Sequence, residues 1–206
     1  MDKTPIILAS QSPRRKQLLE QAGLTFDIIP ANIDETQFAM LSPEDAVFAS
    51  SREKALSIGK NYPDHWIIAA DTIVVINQTI LGKPESKDHA RIMLKTLSGK
   101  THIVLTGYTI SCETLNLHYH DMVRTEVHFK QLCDDEIEWY LNTKEPYDKA
   151  GAYAIQGIGA FIVQWIKGSY TNVVGLPVCE VMDFLVQNKI IRVKSKWAYP
   201  MDGGRK

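Results

Sequence analysis

The sequence predicts an α/β protein in which a mixed sheet is flanked by helices. A short apolar strand at residues 6–9 runs directly into a capped helix. Apolar, β-branched strands and amphipathic helices then follow one another through the first half of the chain. The second half begins with a meander of strands, which gives the sheet a substantial antiparallel component.

Composition and charge fit an ordinary globular domain. The 206 residues are 45% hydrophobic and 23% charged, which allows a sizeable core without disulfides. The net charge of −1 gives no basic field, so we expect no nucleic-acid partner. Three cysteines without a C-x-x-C pair indicate reduced thiols. The first apolar stretch is too short for a signal peptide or membrane span, so we expect a cytoplasmic protein with no membrane partner.

Capping residues mark the helices of the first half. Ser12 offers an N-cap, Pro13 suits the first helical position, and Gly23 ends the helix. Ser42 and Pro43 begin a second helix in the same way. The predicted elements are strands at 6–9, 26–30 and 66–76, a strand starting at 80, and helices at 13–22, 43–58 and 88–97.

The second half predicts a meander followed by shorter elements. These are strands at 101–111 and 117–131, a helix at 135–141 with Asp134 as its cap, a strand at 161–166 after turn glycines, and a helix starting at Pro177. The last residues are polar and rich in glycine. We therefore expect one domain at 1–193 and a flexible tail at 194–206.

A polar turn at the first strand-to-helix junction is a candidate phosphate-binding site. It carries two hydroxyl groups, on Ser10 and Ser12, and two guanidinium groups, on Arg14 and Arg15. Backbone N–H groups and the helix dipole favour an anion at such a junction, and arginine matches phosphate oxygens. The turn has no glycine and is not a Walker A loop. The alternative is a simple helix cap with two solvated arginines.

Asp71 interrupts the apolar, β-branched run at residues 67–75. An ionised carboxylate in such a run is costly unless it is paired, hydrogen-bonded or bound to a metal ion. Asp71 is therefore a candidate functional residue. The alternative is a strand-end aspartate that bonds nearby amides.

Glu35, Lys54 and Lys83 are ordinary surface residue types when each is taken alone. Together with Asp71 and the two arginines, they form a set suited to cleaving phosphoanhydrides. Asp71 and Glu35 supply hard oxygens for a magnesium-type ion, and the basic side chains supply charge for a polyphosphate.

The order of these motifs resembles that of the Maf proteins, the septum-formation inhibitor family. The matching segments are 8–19 (LASQSPRRKQLL), 33–35 (IDE), 52–55 (REKA), 70–74 (ADTIV), 81–84 (LGKP) and 172–177 (NVVGLP). The resemblance covers residues 6–186 and implies a fold like that of the inosine-triphosphate pyrophosphatases, with two lobes around a cleft. It also implies hydrolysis of a nucleoside triphosphate between its α and β phosphates, with Mg²⁺ or Mn²⁺ as cofactor.

The same resemblance implies roles for individual residues. Asp71 would be the proton acceptor, and Glu35 and Asp71 would hold the metal ion. The residues lining the phosphate and metal site would be Ser10, Arg14, Arg15, Glu35, Lys54 and Lys83.

Two further segments resemble the members that act on dTTP and UTP, namely 151–157 (GAYAIQG) and 168–172 (GSYTN). The positions that set specificity would be Arg14, Thr72 and Gln156. The carboxamide of Gln156 offers a donor and an acceptor that complement the N3–H and carbonyl edge of uracil or thymine.

Two alternative functions remain open. One is a pyrophosphatase of the 7-methyl-GTP or inosine-triphosphate type, with the same chemistry and another base pocket. The other is a nucleotide-binding regulator of cell division with little catalysis. A symmetric homodimer is the expected assembly.

Overall fold

A computed structural model describes residues 5–192 of the chain. The predicted tail at 194–206 lies outside the described residues, and so do both ends of the predicted domain at 1–193. No helix within the described range has the length and apolar character needed to cross a membrane.

One mixed sheet of seven strands organises the molecule, as predicted. The strands are β1 (Ile6–Leu8), β2 (Asp27–Ile28), β3 (Trp66–Ile76), β4 (Thr79–Leu81), β5 (Thr101–Cys112), β6 (Leu117–Phe129) and β7 (Val163–Lys167). Their order is β2-β1-β3-β5-β6-β7, and β4 pairs with β3. β1 is parallel to both of its neighbours, whereas the other pairs are antiparallel. The two-lobe arrangement stays a prediction.

Helices flank the sheet, as expected for this fold class. They are α1 (Pro13–Gln21), α2 (Pro43–Gly59), α3 (Lys87–Leu97), α4 (Asp134–Leu141), α5 (Tyr170–Val174) and α6 (Val178–Gln187), with 3₁₀ helices at Glu35–Phe38, Pro146–Asp148, Ala150–Ala152 and Gly157–Phe161. The side chains of Ser12 and Ser42 accept hydrogen bonds from the first turns of α1 and α2. Both predicted caps are therefore confirmed.

A close approach between α2 and the sheet determines where Lys54 lies. Gly107 on β5 faces Val47 of α2 so closely that an added Cβ would lie 2.6 Å from the Val47 carbonyl oxygen. Glycine is therefore required at this contact. Lys54 lies seven residues after Val47, two turns along the same face, and is directed into the molecule. The partner of Gly107 across the sheet is Asp71.

Three apolar clusters pack against the sheet. One joins α1 and α6 through residues such as Leu19 and Leu185. A second packs α3 and α4 through Leu94 and Tyr140. A third lies beneath α2 around Ile67. Burial of this apolar surface is the main force that holds the strand ends and helix ends in place around the site.

Two local predictions need correction, and one short helix was missed. The cap of α4 is Cys133 rather than Asp134, because Glu136 Oε2 accepts a hydrogen bond from the Cys133 N–H at 3.0 Å and moves the helix start by one residue. The strand predicted from residue 161 begins at Val163, after a 3₁₀ helix. The short helix α5 was not predicted, because five residues carry too little periodicity.

Candidate active site

One cavity of about 630 Å³ brings together every predicted site residue. It lies where β1 ends and α1 begins. Leu8 pairs with Ile68 on the parallel strand β3, so Asp71 lies just beyond the end of β1, next to the polar turn. The predicted residues that line the cavity are Ser10, Ser12, Arg14, Arg15, Glu35, Lys54, Asp71, Thr72, Lys83 and Gln156.

The two serines of the turn hold its shape. Ser10 Oγ accepts a hydrogen bond from the Ser12 N–H at 3.1 Å, and Ser12 Oγ accepts one from the Arg15 N–H at 3.5 Å. The helix-cap interpretation of Ser12 is confirmed. It does not exclude phosphate binding, since the turn still opens into the cavity with the positive end of α1 behind it.

Arg15 is a fixed cation in the wall of the cavity. Its guanidinium donates to the Gly175 carbonyl oxygen at 2.7 Å, to Ser10 Oγ at 3.2 Å and to Thr72 Oγ1 at 3.1 Å. Burial lowers the pKa of Arg15, and the negative charge of Asp71 acts in the opposite direction. The guanidinium stays charged at neutral pH, because arginine is not deprotonated in proteins under these conditions. Arg15 therefore supplies positive charge from a rigid frame.

Arg14 is held more loosely, by an ion pair across the mouth of the cavity. Its Nη1 lies 3.1 Å from Asp148 Oδ2, and the Asp148 side chain is 62% exposed. Burial raises the pKa of Asp148, whereas hydrogen bonds from Lys149 and Arg14 lower it. The lowering is larger in total, so the pKa lies below its ordinary value. An exposed pair of this kind is weak, so a phosphate group can replace the carboxylate.

Lys54 joins the two candidate catalytic carboxylates. Its Nζ lies 2.7 Å from Asp71 Oδ1 and 2.6 Å from Glu35 Oε1. The lysine side chain is 9% exposed, Asp71 is 18% exposed and Glu35 is 57% exposed. A buried lysine that faces two carboxylates balances charge in a place where an unpaired aspartate would be costly. The sequence placed these residues in one set, and the structure shows their direct contact.

Lys83 lies at the rim of the cavity, in the exposed loop after β4. The Gly82 carbonyl oxygen accepts a hydrogen bond from the Gly151 N–H at 3.0 Å, which ties this loop to the segment that leads to Gln156. Among residues 5–192, the Lys83 side chain forms no hydrogen bond or ion pair. Its charge is therefore free to meet an anionic ligand.

The chemistry of the carboxylates fits a hard divalent cation. The described part of the chain holds no group of three or more His, Cys, Asp or Glu side chains arranged around a metal site. Mg²⁺ does not require such a cage, since it is commonly bound by one or two carboxylates together with substrate phosphates and water. Glu35 and Asp71, held together by Lys54, are suited to this mode of binding.

Comparison with known protein families gives a match over nearly the whole chain. A family model described as "Maf-like protein" matches residues 5–188. The chain belongs to the Maf family. The resemblance found in the sequence motifs is therefore confirmed over nearly the whole chain.

Proteins from several organisms are similar to this chain. A protein of Syntrophus aciditrophicus is 48% identical over 180 residues, which cover 87% of this chain and 88% of that protein. One from Bacillus anthracis is 48% identical over 185 residues, 90% of this chain and 96% of its own length. One from Desulfotalea psychrophila is 44% identical over 189 residues, 92% and 97% of the two chains. All three are named dTTP/UTP pyrophosphatase.

The predicted specificity positions of this Maf protein lie in different surroundings. Thr72 Oγ1 is enclosed in a network with Arg15, with Thr106 Oγ1 at 2.9 Å and with the Gly175 carbonyl oxygen at 3.2 Å. Gln156 also lines the cavity, is half-buried and makes no capping hydrogen bond. Thr72 is therefore fixed by its neighbours, whereas the Gln156 carboxamide is available to a ligand.

Sequence reasoning missed several residues that shape this site. Asp148 and Lys149 line the cavity, and the Gly175 carbonyl orients Arg15. A polar pair directly before the glycine turn at 151 was the available indication for Asp148 and Lys149. A backbone carbonyl leaves no such trace in the sequence.

Proposed function

We propose that this Maf protein is a nucleoside triphosphate pyrophosphatase that hydrolyses dTTP and UTP to the nucleoside monophosphate and pyrophosphate. The observation that carries the proposal is the contact of Lys54 with both Asp71 and Glu35, beside a turn with two arginines. The names of its relatives support the same activity. Their similarity extends over most of the chain.

The charged residues divide the chemistry between them. Asp71 accepts a proton from a water molecule, whose oxygen bonds to the α-phosphorus while the bond between that phosphorus and the bridging oxygen breaks. Pyrophosphate leaves with the electron pair of the broken bond. Arg14, Arg15 and Lys83 bind the phosphate oxygens and neutralise the charge that develops on the leaving group. Lys54 keeps Asp71 oriented and its charge balanced.

Glu35 and Asp71 would hold the Mg²⁺ or Mn²⁺ cofactor. When bound, such an ion neutralises phosphate charge and acts as a Lewis acid. The exposed side of Glu35 and the cavity-facing side of Asp71 leave both carboxylates within reach of a ligand that enters the cavity.

Gln156 supports a preference for uracil and thymine. Its carboxamide can accept from N3–H and donate to a ring carbonyl. Cytosine presents an unprotonated N3 beside an amino group, so the same carboxamide cannot match it without turning over. A site that leaves polar groups unmatched rejects a ligand more strongly than one that lacks a methyl contact. We therefore expect the site to accept T and U and to reject C.

The remaining parts of the proposal concern assembly and location. The partner is a small-molecule nucleotide, and we place the activity in the cytoplasm with a symmetric homodimer as the expected assembly. The net charge of −1 gives no support to a nucleic-acid partner.

Pyrophosphate release with Mg²⁺ across dTTP, UTP, CTP, dITP, GTP and 7-methyl-GTP tests the proposal. We expect release from dTTP and UTP and little from the others. Release from a purine nucleotide alone would retain the chemistry and reject the base pocket. No release from any nucleotide, with binding of one of them, would favour the division regulator.

A further inference from the structure

The proposed base-selecting residue, Gln156, is at the start of a helical turn. Gln156 is the N-cap of the 3₁₀ helix Gly157–Phe161. At an N-cap, the short side chain of Ser, Thr, Asp or Asn normally accepts a hydrogen bond from the second or third N–H of the helix. Gln156 makes no such bond and lines the cavity instead. The N–H groups that it leaves must find another acceptor.

That acceptor is Glu145, eleven residues earlier in the chain. Its Oε2 accepts from the Ile158 N–H at 3.0 Å, and its Oε1 accepts from the Gly159 N–H at 2.7 Å. These are the second and third N–H groups after Gln156. Tyr140 on α4 donates its hydroxyl to the same Oε1 at 2.9 Å and accepts from the Ala154 N–H at 3.2 Å.

Glycines let the chain wrap tightly around this carboxylate. Gly157 has a φ of +68°, and an added Cβ would lie 2.4 Å from Glu145 Oε2. A Cβ on Gly159 would lie 2.4 Å from the Ala154 carbonyl oxygen and 2.7 Å from the Tyr140 hydroxyl. A side chain at either position would therefore displace the turn. The backbone on both sides of Gln156 is fitted to Tyr140 and Glu145.

We propose that Glu145 is a specificity-positioning residue, which caps the Gly157–Phe161 turn in place of Gln156 and so keeps the Gln156 carboxamide free to select the base. The inference rests on the proposed function, because it assigns a further residue to the same nucleotide site. Glu145 acts through Gln156 and does not itself contact the substrate.

The chemistry of the contact requires a carboxylate. Glu145 receives three donors, and an ionised carboxylate offers acceptors only. Burial and the nearby Glu145 charge raise the pKa of Tyr140, so its hydroxyl stays a donor. A glutamine at position 145 would turn an NH₂ group towards one of these donors. The turn would then loosen, and Gln156 would become the nearest alternative cap.

Glu145→Gln tests this directly through the ratio of kcat/KM for UTP to that for CTP. We expect the ratio to fall by about tenfold or more, because hydrogen bonds to a charged group are stronger than those between neutral groups and the glutamine cannot accept all three of them. Glu138→Gln is the matched control, because Glu138 on the neighbouring helix α4 also carries a paired carboxylate, bonded to Arg91, and lies outside the cavity. Its ratio should equal that of the wild type.

A double-mutant cycle with Gln156→Ala separates positioning from general support. If Glu145 acts through Gln156, the double variant has the ratio of Gln156→Ala alone, so the two effects are not additive. A loss of turnover that is equal for UTP and CTP would overturn the proposal. So would additive effects of the two substitutions on the ratio.

Tyr140→Phe carries the test if Glu145→Gln does not fold. It removes one of the three donors to Glu145, and we expect a smaller fall in the same ratio, about threefold. An unchanged ratio in folded Tyr140→Phe would then overturn the inference. A wild type that is silent towards every nucleotide would reject the proposed function, and this outcome is seen before any variant is compared.

Discussion

Replacement of Lys54 by methionine removes the cation that Asp71 and Glu35 share. Methionine keeps an unbranched apolar chain in place of the lysine stem, so little cavity is created. At 2.7 Å and an effective dielectric constant of about 20, the gross attraction between Lys54 and Asp71 is about 6 kcal/mol. The cost of removing both groups from water offsets much of this attraction.

The net effect follows from how exposed each carboxylate is. Glu35 is 57% exposed and regains water when the lysine is lost, so its pair contributes little. Asp71 is 18% exposed and keeps an uncompensated charge. Breaking a buried pair costs about 3–5 kcal/mol, and the residual exposure of Asp71 lowers our expectation to about 2–3 kcal/mol. For a chain of this size, this corresponds to a decrease in Tm of roughly 4–12 °C.

Thermal unfolding and pyrophosphate release measure the two consequences of Lys54→Met. Lys16→Met is the matched control, because the Lys16 and Glu20 pair on α1 is about half exposed and its atoms are 3.7 Å apart. The control should lower Tm by no more than roughly 2 °C and keep its turnover. Lys54→Met should lose turnover by about 100-fold or more. If both variants melt at the same temperature, Lys54 does not compensate the two carboxylates, and the reasoning is refuted.

Three further predictions concern the proton acceptor Asp71, the proposed base-selecting residue Gln156 and the buried His102. Asp71→Asn is nearly isosteric and should fold, with turnover in the pyrophosphate assay reduced by about 1,000-fold; an active variant would show that another group takes the proton. Gln156→Ala should bring UTP and CTP turnover to within about tenfold of each other, and an unchanged ratio would reject its role in base selection. Burial lowers the pKa of His102 to about 3, with a smaller effect from His128. Between pH 6.5 and pH 3 the unfolded chain therefore binds a proton that the folded chain excludes, and stability falls as pH falls. Relative to His102→Gln, the wild type should lose about 2 kcal/mol of unfolding free energy from pH 7 to pH 5, measured by urea denaturation; parallel pH profiles would contradict this.

Local chemistry explains why most of the fold could be predicted from the sequence. A serine-proline pair specifies the start of α1 and of α2 through contacts that span only four residues. Both helix starts were therefore predicted correctly. The strand at Trp66–Ile76 was predicted with its observed bounds because its apolar, β-branched run ends in a turn. Asn77 and Gln78 in that turn both have positive φ. The cap of α4 was missed by one residue because Cys133 is an unusual cap next to Asp134.

The contacts of the site could be predicted only as a set. The charged residues were recognised by type and order, but the pairing of Arg14 with Asp148 joins positions 134 residues apart. The Gly175 carbonyl that orients Arg15 is 160 residues away in sequence, and its effect depends on the turn after α5. Such contacts depend on how the sheet brings separate loops together, and local patterns in one sequence do not predict this arrangement.

Three basic residues of the cavity are held in two different ways. Arg15 is fixed by a backbone carbonyl and two hydroxyls inside the protein, and a substrate has no group that replaces them. Arg14 and Lys54 each face a carboxylate that is more than half exposed, on Asp148 and Glu35. Phosphate oxygens carry the same charge as these carboxylates and bond arginine and lysine in the same manner. An entering triphosphate can therefore replace Asp148 at Arg14 and Glu35 at Lys54, at the cost of weak surface pairs. Lys54 keeps its buried pair with Asp71, and Arg15 keeps the turn in position. The exposed carboxylates therefore balance the charge of Arg14 and Lys54 before a substrate binds, and they still leave both cations available to its phosphates.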